Sequence, residues 1–256
     1  LLPPEMRTLD SLVAHMPMQL AQKFTRWTRG NDPQMSGRYA PLFAAVEDGA
    51  GGLDKRVAVY NLQAVRDDAD AMGPLLLELF YRITRAFEDP RRRGIPKELH
   101  VDECHHALRL KVFAEYLVSK VRTWGKWGAG VQLWTQSPEE LLRTDNWAAV
   151  RSAASTFVFM ADPKMDDDLY LETFPFLQQG ECEAIRGLVP KRQAFIVQPE
   201  IGIAKVVNLT VEPEQYVMNT SHPREAAIRT ALIEEHGYER GMRLTLQRFR
   251  EEGILK

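Results

Sequence analysis

An α/β fold with a mainly parallel sheet and helices on both faces is what three features of this sequence predict. Short apolar runs rich in β-branched residues recur along the chain. They alternate with longer stretches of helical spacing, and two of them end in polar, chemically capable residues. Strand, helix, strand in that rhythm requires crossover connections, and crossovers build parallel sheets. In such sheets ligands sit beyond the carboxyl ends of the strands, so strand ends are the places to look for chemistry.

The elements follow in order. Residues 1–45 read as helix and loop. Thr8 or Asp10 is placed to cap a segment carrying Leu12, Val13, Met16 and Leu20 at helical spacing. The stretches 28–38 and 48–52 are rich in turn formers. Residues 57–62 (Val-Ala-Val-Tyr-Asn-Leu) predict a strand buried on both faces. Asp67, Asp68 and Asp70 lead into a long helix with Pro74 near its first turn and a stripe of Leu75, Leu76, Leu79, Phe80 and Ile83. Residues 91–94 end it. Residues 99–101 form a short strand closed by Asp102 and Glu103, and a helix over about 104–123 follows. A third strand is expected at 129–135, a short helix from Pro138 to Leu142 and a fourth strand at 155–160. Residues 193–197 and 204–209 flank a turn at 199–202 and suit a hairpin, and 223–252 is an amphipathic helical tail. No internal repeat or low-complexity segment interrupts this order.

The bulk properties exclude several classes. A chain of 256 residues with 45% hydrophobic and 27% charged residues has ordinary globular composition, enough for one large domain or two small ones. Its net charge of -2 gives no bulk attraction to nucleic acid or to an anionic membrane. Cys104 and Cys182 are far apart and make no disulfide framework, so a reducing compartment fits. No apolar run reaches the length of a membrane span. The chain opens Leu-Leu-Pro-Pro without an initiator Met, which is read as a cut into a longer protein.

The strand ends carry the chemistry. Asp102 and Glu103 close one strand, and Thr135, Gln136 and Ser137 close the next. Two adjacent acids at such a place are costly to bury unless they meet a cation or a polarised water. In phosphoryl transfer the pair has a use: the Asp helps hold the Mg²⁺ shell, and the Glu orients and deprotonates the attacking water. A Gln on the neighbouring strand reaches the terminal phosphate or that water. The 33-residue step from Glu103 to Gln136 is one helix and one strand, as a βαβ unit needs. The plainer alternative makes Asp102 and Glu103 a helix cap. His100, Cys104, His105 and His106 crowd the same stretch, but their spacing matches neither H-E-x-x-H nor a Cys-pair zinc site. The tryptophans, including Trp124, Trp127 and Trp134, serve packing or base stacking. Asp166 to Asp168 reads as a solvated loop or cap, and Arg91 to Arg93 as a solvated helix end.

Residues 97–103 (Lys-Glu-Leu-His-Val-Asp-Glu) look like a Walker B motif. Residues 121–128, followed by 131–137 (Val-Gln-Leu-Trp-Thr-Gln-Ser), resemble the basic helix end, strand and Thr-Gln-Ser signature of the TrbE/CagE/TraC family. These are conjugative-transfer and type IV secretion ATPases related to the HerA–FtsK motors. Residues 37–43 and 57–62, Tyr81-Arg82-Ile83, and 188–196 resemble further family segments, so the likeness covers roughly residues 37–220. It implies a RecA-like P-loop NTPase core at 46–222, the end of an all-helical insertion at 1–45 and a helical tail at 223–256. It also implies ATP and Mg²⁺ as cofactors, Asp102 toward Mg²⁺ through water and Thr135 beside the nucleotide. Glu103 becomes the base, Gln136 the γ-phosphate sensor, and Arg122 and Lys126 candidates for contacts with a neighbouring subunit. A hexamer at the cytoplasmic side of a bacterial inner membrane is implied, with other secretion components as partners and DNA or protein as cargo.

Two departures matter. Gly125 stands where the family usually has an Arg directly before Lys126, which leaves open whether Arg122 or Lys126 reaches across. No G-x-x-x-x-G-K-[ST] loop occurs in these 256 residues, and the stretch Gly49 to Lys55 precedes a strand instead of following one. The chain by itself is therefore expected to be inactive. Two other readings remain: a DNA-translocating HerA–FtsK-type motor, and a non-catalytic assembly module of the secretion complex.

Overall fold

The computed structural model describes residues 8–30, 36–43, 51, 53, 55–136 and 138–255. The expected turns within 31–35 and 48–50, and Ser137, lie outside them. The chain divides into two compact units, Leu1–Ala153 and Ala154–Lys256.

In the first unit, α1 (Leu9–Ala14) starts where the Thr8 hydroxyl accepts from the Ser11 N–H. Short helices α2 (Met18–Ala21) and α3 (Ala40–Phe43) follow. Then comes α4 (Ala69–Phe87), capped by the Asp68 side chain on the Ala71 N–H. Pro74 sits in its second turn and removes one backbone donor without ending the helix. Strand β1 (Lys97–Val101) leads to α5 (Cys104–Leu108), α6 (Lys111–Trp124) and β2 (Ala129–Leu133). The expected single helix over 104–123 is two, broken at Arg109 and Leu110. Helices α7 (Pro138–Leu142) and α8 (Trp147–Ala153) close the unit.

Aromatic packing holds α4 against α6. The Phe80 ring meets Phe113, Tyr116 and Trp124 at centroid distances of 5.2, 4.9 and 5.5 Å, and Phe87 meets Trp124 at 4.9 Å. Trp124 is fully buried, and its indole N–H reaches Glu88, which also pairs with Lys120. Burying an aromatic surface of this size dominates local stability.

Strands β1 and β2 run parallel, with Lys97 opposite Ala129 and Val101 opposite Leu133. That is the crossover the sequence predicts. The sheet is nonetheless smaller than expected. Residues 57–62 form no strand: no partner strand pairs with them among the described residues, and Val57 and Val59 stand 76% and 85% exposed. An extended run without a partner strand cannot satisfy its backbone groups within a sheet. One face of the pair, carrying Glu98, His100 and Gln132, is also open, so helices cover a single face.

The second unit holds β3 (Phe157–Met160), α9 (Asp167–Thr173), α10 (Gln179–Arg186), β4 (Gln193–Gln198) and β5 (Ile203–Asn208). Here β3 pairs antiparallel with β4, and β4 with β5, so a mainly parallel sheet is not what the chain forms. An all-apolar run such as Phe-Val-Phe-Met carries no sign of strand direction. Its alternation of inward Phe157 and Phe159 with exposed Val158 and Met160 belongs to a one-faced antiparallel sheet. Phe157, Phe159, Tyr170 and Phe174 pack beneath it. Burial, then a hydrogen bond to Asp162, pushes the Tyr170 phenol well above its usual range. Asp166 caps α9, as the sequence allows. The β4–β5 hairpin turns through Gly202, at φ 65°.

Helices α11 (Pro213–Asn219), α12 (Pro223–His236) and α13 (Tyr238–Glu251) follow. The tail is a hairpin, bent at Gly237, where φ is 78°. Gly241, Thr245 and Phe249 line one buried stripe of α13. A Cβ at Gly241 would lie 2.6 Å from the Ile233 Cα and 2.7 Å from the Leu232 carbonyl oxygen, so the two backbones touch there. Gly241→Ala should therefore lower stability by about 1–3 kcal/mol through forced separation of α12 and α13. A thermal melt indistinguishable from wild type would contradict this contact.

The thiols give a second expectation. Cys104 and Cys182 are 1% and 0% exposed, and burial pushes the Cys104 thiol up to about 12. The thiolate is the reactive form, so the folded chain should take up no iodoacetamide at pH 8 and two equivalents after denaturation. Labelling of the native chain within minutes would show that α5 or α10 opens.

Candidate functional site at the ends of the parallel strands

Main-chain bonds extend the β1–β2 pairing by one residue. The Trp134 N–H donates to the Val101 carbonyl, and the Cys104 N–H, at the start of α5, donates to the Trp134 carbonyl, both at 2.9 Å. The chain must turn sharply after β1 to place Cys104 there. Glu103 makes the turn in the left-handed region, at φ 45° and ψ 49°. A residue with a Cβ adopts that conformation at a cost of about 1–2 kcal/mol.

This geometry brings two of the sequence-predicted residues together. The Gln136 amide Nε2 donates to Glu103 Oε1 at 2.7 Å. Glu103 occupies the N-cap position of α5 but makes no side-chain capping bond, so its carboxylate is not spent on the helix. Asp102 is exposed beside it and accepts the Glu103 N–H on Oδ1 at 3.0 Å. Thr135 is half-buried between Trp134 and Gln136.

Arg122 and Lys126 are not part of this group. Both are exposed, Arg122 in the last turn of α6 and Lys126 in the 3-10 turn Gly125–Trp127. That turn leads into the start of β2, whereas the acids lie past its end. Five strand residues separate the two ends by about 15 Å. The three arginines near this turn are engaged. Arg91 holds the Asp89 carboxyl down to about 2, Arg92 donates to the Leu53 carbonyl, and Arg93 donates to the Lys126 carbonyl and lies 5.3 Å over the Trp127 ring. Arg91 and Arg93 are exposed, as the expected solvated helix end has it, while Arg92 and Arg93 also tie that end to neighbouring main chain.

On the open sheet face, His100 Nε2 lies 3.2 Å from Glu98 Oε2, and Gln132 donates to the same oxygen. The Trp134 indole N–H donates to His100 Nδ1 at 3.3 Å, with the rings stacked. His100 therefore faces away from α5. No group of three His, Cys, Asp or Glu side chains able to hold a metal occurs among the described residues. An exposed Asp102 suits a Mg²⁺ ion whose other ligands are waters and phosphates, the usual manner for this cation.

Sequence reasoning weighed His105 only as a metal ligand. It is buried at 8% exposure on α5, with Nδ1 3.5 Å from Glu103 Oε2. The signal was present in its neighbours: Cys104, Ala107 and Leu108 are apolar at helical spacing around it. His106 packs on it at 4.1 Å, and burial, then His105, lowers the His106 pKa.

No family model and no curated protein matches the sequence. Among solved structures, VirB4 of Thermoanaerobacter pseudethanolicus is similar in fold, with a TM-score of 0.56 at 12% sequence identity over 88% of this chain. This chain spans 58% of that one. No helix among the described residues is long and apolar enough to cross a membrane. A mixed α/β chain with a small parallel sheet and many helices, similar in fold to VirB4, is what sequence and structure together establish.

Proposed function

We propose that this chain is part of an ATPase that energises type IV secretion or conjugative transfer, and that Glu103 is its general base. The observation that carries this reading is the Gln136–Glu103 hydrogen bond at the shared end of two parallel strands, with Asp102 adjacent. The likeness in fold to VirB4 supports the class of protein. ATP with Mg²⁺ would supply the phosphoryl group. Asp102 would face the water shell of the ion, and Glu103 would accept a proton from the attacking water on a carboxylate oxygen. Gln136 offers both a donor and an acceptor, so it holds Glu103 through its amide N–H while its carbonyl is available to water. No phosphate-cradling loop occurs in these 256 residues, so the chain alone is expected neither to bind ATP tightly nor to turn it over.

In the intact protein, Glu103→Gln should preserve nucleotide binding and reduce turnover about a hundredfold or more. A coupled phosphate-release assay with parallel nucleotide titration measures both. Wild-type turnover in this variant would reduce Glu103 to a residue that starts a helix.

The position of Arg122 and Lys126 at the opposite strand end supports action on a neighbouring subunit's nucleotide in a ring, with a hexamer as the form proposed. Arg122→Ala or Lys126→Ala subunits should then regain activity when mixed with Glu103→Gln subunits, because each supplies what the other lacks. Mixtures that never exceed the sum of the separate variants, across several ratios, rule this out.

A further inference from the structure

We infer that His105 is a positioning residue for Glu103, holding through Nδ1–H the carboxylate oxygen that Gln136 leaves free. The inference rests on the reading of Glu103 as the base. Glu103 Oε1 is taken by the Gln136 amide at 2.7 Å. Its other oxygen, Oε2, lies 3.5 Å from His105 Nδ1. That separation is too long for a hydrogen bond, and Nδ1 has no hydrogen-bond partner although it is buried. Buried polar atoms are almost always satisfied, and one that is not needs a reason.

The surroundings supply it. The His105 side chain is 10% exposed on α5, where Cys104, Ala107 and Leu108 are buried with it, so little of it reaches water. On the other side the His106 ring packs at 4.1 Å, tilted by 40°, and Glu140, the other carboxylate whose charge reaches His105, is paired with Arg109. The Glu103 side chain is the more exposed partner, at 34%. A shift of a few tenths of an ångström brings Oε2 to hydrogen-bonding distance of Nδ1. Catalytic hydrogen bonds are often long without substrate and tighten in the reacting complex. A carboxylate oxygen has two lone pairs, so Oε2 accepts from His105 and still takes a proton from water on the other. Gln136 and His105 thereby hold Glu103 from both sides and aim that second lone pair.

Two measurements test this. The first uses the chain unaltered: ¹⁵N–¹H NMR of the imidazole nitrogens should find His105 Nδ1 protonated. A proton-free, pyridine-type Nδ1 overturns the inference without any substitution. The second uses the intact ATPase. Asn places an amide N–H where Nδ1–H stands, Gln places it nearer Nε2, and Phe keeps only the ring. His105→Asn should stay within about threefold of the wild-type kcat, while His105→Gln and His105→Phe lose about 10- to 100-fold in kcat with KM for ATP unchanged, the scale of a misaimed catalytic group. Full activity in His105→Phe, or an equal loss in all three folded variants, refutes the role. Glu103→Gln is assayed alongside. If it turns over like wild type, the base reading fails. If it is slow while every His105 variant is normal, only the present inference fails.

Discussion

The main chain of Trp134 is the constraint on which the candidate site depends. Its N–H bonds the last residue of β1 and its C=O bonds the first residue of α5, so one residue fixes both the register of the strands and the entry to the helix. Backbone groups of this kind cannot be left unpaired where water is excluded. With both satisfied, residues 103 and 136 stand side by side at the strand ends, and their side chains meet. The aromatic packing of α4 on α6 matters for the same reason. It fixes the crossover helix, and the crossover helix fixes where β2 returns beside β1.

The placement of Asp102, Glu103 and Gln136 at neighbouring strand ends was more legible in the sequence than the sheet was. Asp102, Glu103 and Gln136 were identifiable because strand length, helix length and polarity at the strand ends all pointed to one place, and the two strands do pair in parallel. The sheet itself was misjudged at residues 57–62 and 155–160. Composition reports that a run prefers extended backbone. It does not report whether a partner strand exists, or in which direction that partner runs. Residues 57–62 have the composition of a buried strand and no partner strand among the described residues. Residues 157–160 do have neighbours, but antiparallel ones. The bend at Gly237 was hidden for another reason: a helical pattern on both sides of one glycine reads as a single helix until the backbone turns left-handed there. His105 was missed because histidine next to acids and a cysteine invites a metal reading, which drew attention away from its burial.

Polarity along the strand axis separates two sets of charges. The acids and Gln136 lie past the carboxyl ends of β1 and β2. Arg91, Arg92, Arg93 and Lys126 gather where the strands begin, knitted by main-chain carbonyls and the Trp127 ring. A single copy cannot bring both ends to one phosphate, since rigid strands keep them about 15 Å apart. Within one copy Arg92 and Arg93 serve the fold, and the separation supports the proposal that Arg122 or Lys126 acts on a second copy.

The backbone of Glu103 bears on which reading of the acid pair is sound. A left-handed turn between a strand and a helix is most cheaply made by glycine, which would spare about 1–2 kcal/mol. If residue 103 only linked β1 to α5, or only capped the helix, the strain would have no return. Its carboxylate makes no cap, and the capping N–H groups of α5 get nothing from it. What the carboxylate does have is an amide donor on one oxygen and a buried imidazole beside the other. A strained residue whose carboxylate meets an amide donor on one side and a buried imidazole on the other supports the proposed role of that side chain. That argument needs no likeness to any other protein, and it points to the same residue as the strand-end reading of the sequence.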